Sequence, residues 1–181
     1  LLLCVLLLSC LLLCSREPRV NTTIYYVIPR IKHPIVRETL RKYGFKDTGL
    51  DISYIGDLPG GSGMGSSSSF TAALLLALKT QLNETITPYE LSNLSYDIEK
   101  NLLKETVGIQ DQIATSFGGF NKVEIAKDGS FEVVPVNLSS KRLNNFLDRM
   151  ILVYTGTTRR ATDVALKKVN NMQNKFLDYT E

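Results

Sequence analysis

The sequence has few of the residues that build disulfides, zinc sites or thiol chemistry. Its three cysteines, Cys4, Cys10 and Cys14, all lie within the first fourteen residues. Residues 15–181 therefore contain no thiol for a disulfide, a thiolate nucleophile or a zinc cage. The single histidine, His33, cannot form a two-histidine metal site, and its place at the start of a predicted helix favours a structural role. We expect a cytoplasmic protein.

The sequence also lacks any concentrated run of basic residues. Lys and Arg number 21 against 18 Asp and Glu, the formal net charge is +3, and the basic residues are scattered. Nucleic-acid-binding domains cluster such residues, so no nucleic-acid partner is expected. With 44% hydrophobic and 22% charged residues, the 181-residue chain has ordinary globular composition. It can form one good core and the beginning of a second domain.

The first fourteen residues, LLLCVLLLSCLLLC, form a separate apolar segment. The segment is shorter than the roughly 20 residues that a membrane-spanning helix needs. It is similar to the apolar part of a secretory signal but has no positive residues before it. Leu8, Ser9 and Cys10 suggest a lipoprotein cleavage site, yet the apolar residues that follow do not suit a mature N-terminus. We expect residues 1–18 to be an artefact or a truncated end, and no membrane partner.

Proline, glycine and capping residues delimit the predicted helices. Pro34 begins one helix and Gly44 ends it, and Thr87, Pro88 and Glu90 form a cap, a first-turn proline and a third-position acid. The segment from Ser66 is rich in Ala and Leu on nearly every face, which indicates a buried central helix. The predicted helices are 33–43, 66–82, 87 to about 104, a short one after 138, and 159–179.

Alternating or compact apolar runs predict the strands. Residues 50–58 alternate and precede a glycine-rich segment, and 150–154 is a short apolar run. Residues 119–126 and 131–138 flank Asp128 and Gly129, which is a hairpin signal. The sequence thus predicts strands separated by helices, with a hairpin in the second half.

The strongest functional signal is LPGGSGMGSSSS between a predicted strand and the central helix. Glycines 60, 61, 63 and 65 allow the backbone to approach a ligand closely, and the first turn of the next helix has N–H groups free for an anion. Serines 66–69 supply more hydroxyls than one helix cap needs, which suits Mg²⁺ and phosphate oxygens. The same residues could instead serve only to cap a buried helix.

Two better-known phosphate loops do not match this segment. The Walker A loop requires a lysine after its last glycine, where this chain has Ser66. The dinucleotide-binding fingerprint requires GxGxxG, whereas Gly61, Gly63 and Gly65 give GxGxG without a suitably spaced acid. The segment from Pro59 to Ser68 instead resembles the second motif of the GHMP kinases, PxxxGLGSSAA, with Met64 in place of leucine. The resemblance implies that Pro59, Gly60, Gly61, Ser62, Gly63, Met64, Gly65, Ser66, Ser67 and Ser68 bind ATP.

Phosphoryl transfer requires positioning, neutralised charge and a carboxylate for the proton of the attacking hydroxyl. Asp111 follows a helix-ending glycine, and from its position alone it is either a base or an ordinary helix-start acid. GIQDQ followed by FGGF is similar to the family segment that carries the catalytic aspartate, which implies that Asp111 is the base. Glu99 matches the family glutamate that holds Mg²⁺ with a loop serine, here Ser66 or Ser67. Glu105 is the competing acid.

Further segments resemble one branch of the family, the kinases of D-glycero-D-manno-heptose 7-phosphate. These segments are HPIVRETL at 33–40, VGIQDQ and FGGFN within 107–121, and VYTGTTRRA at 153–161. The branch implies ATP-dependent phosphorylation of the anomeric hydroxyl of the heptose phosphate. Arg159 and Arg160 could pair with the sugar phosphate, because guanidinium groups suit bidentate contacts, or could form a solvated helix start.

The resemblance implies an α+β fold. Residues 19–147 are expected to form the GHMP kinase N-terminal domain, a ribosomal-protein-like βαβ sandwich, and 148–181 the beginning of a ferredoxin-like C-terminal domain. The family's first and third motifs are not found in this sequence, so the resemblance also implies a fragment. ATP, Mg²⁺ and a sugar phosphate are the expected ligands, and a homodimer is an open possibility. The alternatives are a kinase of fucose or galactose type, or an inactive fragment that retains nucleotide binding.

Overall fold

Helices dominate the described part of the chain. A computed structural model describes residues 30–45, 50, 52, 54, 63–151, 153 and 171. Helices α1 and α2 come first, α3 continues into a π-helical turn, α4 leads to a hairpin of β1 and β2, and α5 follows. Their bounds are α1 Pro34–Lys42, α2 Ser66–Gln81, α3 Pro88–Asp97, the π-helical turn Ile98–Leu102, α4 Gln110–Phe117, β1 Asn121–Ile125, β2 Phe131–Pro135 and α5 Ser140–Leu147.

The hydrophobic core lies around α2, as its Ala- and Leu-rich sequence predicts. Leu74, Leu75 and Leu78 of this helix are buried, and they belong to one apolar cluster with residues of α1, α3 and the π-helical turn. Helix α1 contributes Ile35, Val36 and Leu40, which lie on one face at helical spacing. Helix α2 is therefore a central helix, which contacts α1, α3 and α4.

Local capping signals set the start of α3. Thr87 caps the helix by accepting a hydrogen bond from the Glu90 amide at 3.2 Å, and the Glu90 carboxylate accepts one from the Thr87 amide at 2.9 Å. Pro88 occupies the first helical position. The predicted capping box is thus confirmed. The predicted helix to about Lys104 ends differently, because α3 widens at Ile98 into a π-helical turn, where the Leu103 amide donates to the Ile98 carbonyl at 3.0 Å.

The hairpin predicted around Asp128 and Gly129 is present. Strands β1 and β2 pair antiparallel, with Val123 opposite Val133 and Ile125 opposite Phe131. Gly129 has a φ of 88°, which a residue without a Cβ adopts without strain. Strand β1 is shorter at both ends than the predicted 119–126, whereas β2 begins at 131 as predicted and ends before the predicted 138. The mixture of helices and strands fits the predicted α+β class.

Several predictions lie outside the described residues. These are the leader at 1–18, most of the strand at 50–58, and the helix at 159–179, of which only Asn171 is described, in a helical conformation. The predicted strand at 150–154 is wrong for its three described residues, Met150, Ile151 and Val153, which have no regular structure. All three are exposed, with Ile151 88% accessible, and an unpaired segment cannot form the hydrogen bonds of a sheet.

Within the described ranges, every helix is too short or too polar to cross a bilayer.

Candidate active site

The end of the glycine-rich segment leads directly into α2. Gly63 and Gly65 have φ values of 77° and 70°, in the left-handed region that favours glycine. Gly65 occupies the N-cap position, where no side chain caps the helix. The first described helical hydrogen bond runs from the Ser69 amide to the Gly65 carbonyl at 2.9 Å, so the amides of Ser67 and Ser68 have no described backbone acceptor. Such amides can bind an anion.

The serines at the start of α2 point in different directions. Ser67 is exposed, Ser66 is half-buried and Ser68 is buried. The Ser68 hydroxyl donates to Glu99 Oε2 at 3.1 Å. Within the first turn of α2, Ser67 therefore lies at the surface and Ser68 in the interior. The remaining predicted ATP-binding residues, Pro59, Gly60, Gly61 and Ser62, lie outside the described part of the chain.

Asp111 lies against the glycine that begins α2. Its carboxylate carbon and Oδ2 would be 3.6 and 3.7 Å from a Cβ atom built on Gly65. Asp111 is in the first turn of α4, which contacts α2 and α3. The structure thus brings together the loop end and the acid that the sequence analysis assigned to one site. They are separated in sequence by all of α2 and α3.

The Asp111 carboxylate is half-buried, and no described side chain forms a hydrogen bond with it. Burial raises the pKa of Asp111, because removing a carboxylate from water disfavours its charged form. A carboxyl group with a raised pKa accepts a proton more readily than an exposed one. Asp111 thus combines proximity to the loop with increased basicity, which is what a general base requires.

Glu99 lies in the π-helical turn and is fully buried. Its Oε2 atom accepts hydrogen bonds from the Ser68 hydroxyl and, at 2.7 Å, from Gln112 Nε2. Burial raises the pKa of Glu99 and outweighs the nearby Thr71, Ser68 and Gln112 side chains, which lower it, while the charge of Glu105 adds to the rise. Glu105 itself lies in the loop before α4, and its amide donates to the Glu99 carbonyl at 3.0 Å.

Glu99 has an unpaired oxygen that suits a cation. Its Oε1 atom is buried and has no hydrogen-bond partner in the described part of the chain, which is costly for a carboxylate oxygen. Carboxylates and hydroxyls are the oxygen ligands that Mg²⁺ takes beside a nucleotide's phosphates. The described residues include no group of three or more His, Cys, Asp or Glu side chains that could hold a metal by themselves. The residues present therefore fit an ion that is completed by phosphate and water.

Sequence reasoning missed two contacts in this region. The proposed sharing of Mg²⁺ by Glu99 and Ser66 or Ser67 stays a prediction, but the hydrogen bond from Ser68 to Glu99 was not predicted, and no role was assigned to Gln112. The available signal for Gln112 was its position directly after Asp111. Arg159 and Arg160, the predicted sugar-phosphate contacts, lie outside the described residues.

The described residues combine helices and strands in an α+β domain. The start of α2 at Gly65 lies against the Asp111 carboxylate, an arrangement of the kind that small-molecule kinases use. Residues 30–119 match the family described as GHMP kinases N terminal domain. The chain therefore belongs to the GHMP kinase family and contains its N-terminal domain.

Similar proteins include two named kinases. The chain is 31% identical to D-glycero-alpha-D-manno-heptose 7-phosphate kinase from Campylobacter jejuni, over 72% of this chain and 38% of the relative. It is 28% identical to a galactokinase from Clostridium perfringens, over 79% of this chain and 35% of the relative. The chain thus spans little more than a third of the length of these relatives.

Solved structures agree with the family assignment. A D-glycero-D-manno-heptose 1-phosphate kinase from Bacteriodes thetaiotaomicron superposes with a TM-score of 0.56 at 32% identity, covering 61% of this chain and 36% of that one. A second structure, from Campylobacter jejuni, has a TM-score of 0.56 at 24% identity. The superposition covers 81% of this chain and 46% of the Campylobacter chain. This second likeness supports the fold alone.

Proposed function

We propose that the full-length protein containing this chain is an ATP-dependent kinase that phosphorylates the anomeric hydroxyl of D-glycero-D-manno-heptose 7-phosphate. Two similar proteins carry names of heptose phosphate kinases, and each is more than 30% identical to this chain. The expected ligands are ATP, Mg²⁺ and the sugar phosphate, and the expected compartment is the cytoplasm.

The observation that carries this proposal is the contact between Asp111 and Gly65. A carboxylate with a raised pKa lies within 3.7 Å of the position of a Gly65 Cβ, at the uncapped start of α2. A polyphosphate bound at that helix end would therefore lie next to a proton acceptor. General-base catalysis requires this proximity before any matching of pKa values.

The proposed reaction moves one proton and one phosphoryl group. Asp111 accepts the proton of the sugar hydroxyl while that oxygen forms a bond to the γ-phosphorus of ATP. The bond from the γ-phosphorus to the bridging oxygen of the β-phosphate breaks, and ADP leaves with that oxygen. Bound Mg²⁺ would supply positive charge beside the phosphates. Ser67 and Glu99 Oε1 are the proposed ligands on the chain.

The glycine-rich segment has a positioning role in this proposal. The glycines of this segment would let main-chain amides contact the phosphates, and the Ser67 and Ser68 amides, which have no described backbone acceptor, would add donors. Arg159 and Arg160 are the proposed contacts to the phosphate of the sugar, where guanidinium groups would provide bidentate hydrogen bonds. Holding both substrates in this way supplies much of the catalysis in phosphoryl transfer.

A galactose-type sugar is the second candidate substrate. Galactokinases from Clostridium perfringens match over 79% of this chain, a larger share than the heptose phosphate kinase does. Their identity is lower, at 28%. The two candidates differ in one physical requirement, because only the heptose substrate carries a phosphate that needs a cationic contact.

A sugar panel tests the proposed function. The full-length protein is incubated with ATP, Mg²⁺ and either heptose 7-phosphate, galactose or fucose, and ADP release is measured. We expect kcat/KM for heptose 7-phosphate to exceed that for the other sugars by at least about 100-fold. A neutral sugar would leave the cationic groups that bind the sugar phosphate without a partner. Preference for galactose would establish the second candidate. Absence of turnover with all three sugars would refute both.

Asp111→Asn provides the catalytic control in the same assay. We expect kcat to fall by about 100-fold or more with nearly unchanged ATP affinity, because the amide keeps the shape but cannot take the proton. Asp128→Asn is the matched substitution, since Asp128 is an exposed acid that bonds Ser130 in the hairpin turn. It should leave kcat unchanged. Equal activity of the parent and Asp111→Asn would remove Asp111 from the base role.

A further inference from the structure

Glu99 connects three segments that surround the candidate site. Its carboxylate accepts hydrogen bonds from Ser68 in the first turn of α2 and from Gln112 in the first turn of α4. Its main-chain carbonyl accepts the Glu105 amide from the loop that leads into α4. The glycine-led helix and the helix that carries Asp111 are therefore both attached to one buried residue.

The two side-chain hydrogen bonds are distributed unevenly over the Glu99 carboxylate. Both donors contact Oε2, at 3.1 Å and 2.7 Å, and Oε1 has no hydrogen-bond partner among the described residues. The neighbouring Thr71 hydroxyl, which lowers the pKa of Glu99, donates its hydrogen bond to the Ser67 carbonyl at 2.9 Å. Glu99 and Gln112 are both fully buried, so neither side chain can exchange its partner for bulk water. Two donors on the same oxygen fix the rotation of the carboxylate and leave the other oxygen available to a ligand.

We infer that Gln112 and Ser68 are positioning residues that hold Glu99 so that its Oε1 atom faces the Mg²⁺ of a bound nucleotide. This inference rests on the proposed kinase function. Gln112 follows Asp111 directly in α4, so the same helix that places the base also orients the metal ligand. Hydrogen-bond partners of metal ligands contribute strongly to binding, and their loss reduces metal affinity by about 10–100-fold.

Gln112→Met in the full-length protein tests this inference. Methionine has a similar length and volume but cannot donate to Glu99. The dissociation constant of a non-hydrolysable ATP analogue is measured by calorimetry twice, with EDTA and with saturating Mg²⁺. The ratio of the two constants gives the tightening that the metal produces. We expect this ratio to fall by about 10-fold in Gln112→Met, with the EDTA value unchanged.

Ser92→Ala is the matched control. Ser92 is also fully buried, lies within α3 and donates to a main-chain carbonyl, that of Tyr89 at 2.9 Å, so it does not bond Glu99. Its loss should reduce stability without changing the metal-dependent ratio. If Gln112→Met does not fold, Ser68→Ala replaces it, because it removes the other donor with a smaller change in volume. A several-fold lower ratio in Ser68→Ala then supports the inference.

An unchanged ratio in Gln112→Met, or in Ser68→Ala where the first variant does not fold, overturns the positioning role. An equal fall in Ser92→Ala also overturns it, since the effect would then follow from any buried polar loss. The parent protein separates this outcome from failure of the proposed function. If the parent binds no ATP analogue under either condition, the proposed kinase function is refuted. If the parent shows metal-dependent binding, the kinase function stands, and the variants test only the positioning role of Gln112 and Ser68.

Discussion

The Asp111 carboxylate experiences two opposing effects. Its place in the first turn of α4 brings it near the positive end of a helix dipole, which favours the charged form. Burial acts in the other direction and raises its pKa. With no described hydrogen bond to hold the charge, the carboxylate has an accessible proton-accepting oxygen beside the loop. The helix-start and base interpretations of Asp111 are therefore compatible.

The raised pKa gives a prediction for the pH dependence of catalysis. A base must be deprotonated to act, so kcat of the full-length protein should rise with pH as Asp111 loses its proton. Because burial raises that pKa, the rise should be centred above the ordinary aspartate value of about 3.9. A kcat profile from acidic to neutral pH measures the midpoint.

The Asp111→Asn variant is the control for this profile, because its residual activity should lack the acidic rise. A midpoint at or below the ordinary aspartate value would contradict the proposed effect of burial. A rise that persists unchanged in the variant would assign the titration to another group.

The sequence predicted the residues of the candidate site better than their contacts. Gly63, Gly65 and Asp111 were selected because their motifs are local in sequence. The pairing of Glu99 with Ser68 could not be read in the same way, because four serines in a row have the same chemistry and only helix packing decides which one is buried. Gln112 was missed because its partner is on another element.

At the level of elements, the helices with clear start and stop residues, such as proline, glycine or a capping box, were predicted most accurately. Helix α1 has Pro34 and Gly44 at its ends, and α3 has a complete capping box. Helix α4 was not predicted as an element, because it has only eight residues and no side-chain cap. The π-helical turn at 98–102 was also missed, since no residue type specifies an extra residue in a helical turn and neighbouring elements decide its presence.

The turn that begins α2 allows a test of the glycine-rich segment as an element. Gly63 and Gly129 both have positive φ, and a Cβ atom on either would meet nothing within 4 Å. Gly63→Val and Gly129→Val should therefore each destabilise the protein by about 1–2 kcal/mol through backbone strain. Only Gly63→Val should also weaken nucleotide binding, because its side chain would enter the space assigned to phosphate.

Chemical denaturation and nucleotide titration of both variants separate strain from binding. Equal nucleotide affinity in Gly63→Val and Gly129→Val would argue against a phosphate site at the start of α2. A larger stability loss in one variant would show that the surroundings of the two turns differ.

At the scale of the whole molecule, the chain represents only part of the length of its relatives. Its alignments cover 35–38% of the two kinases compared by sequence. Three apolar residues that follow α5 are exposed, namely Met150, Ile151 and Val153, and Ile151 and Val153 are 88% and 73% accessible. We expect further chain to cover this segment in the full-length protein, where the second domain is proposed to begin.

Ile151→Ser tests this expectation. In the 181-residue chain the substitution should change the free energy of unfolding by less than about 0.5 kcal/mol, as for an exposed site. In the full-length protein it should cost about 1.5–3 kcal/mol, the contribution of a buried aliphatic side chain. Leu76→Ser, at a partly exposed position of α2, should have the same effect in both lengths. Similar small effects of Ile151→Ser in both lengths would contradict the expectation.

The π-helical turn has a consequence for insertions and deletions. Its wider ring holds one residue more than an α-helical turn, so removing Lys100 would restore regular winding and rotate everything beyond by about 100°. The chain that leads to Asp111 would then be displaced relative to Glu99, which precedes the deleted residue. The length of chain between the two acids is therefore constrained as strictly as their chemical identity, and a gap there would disable the site with every acid still present.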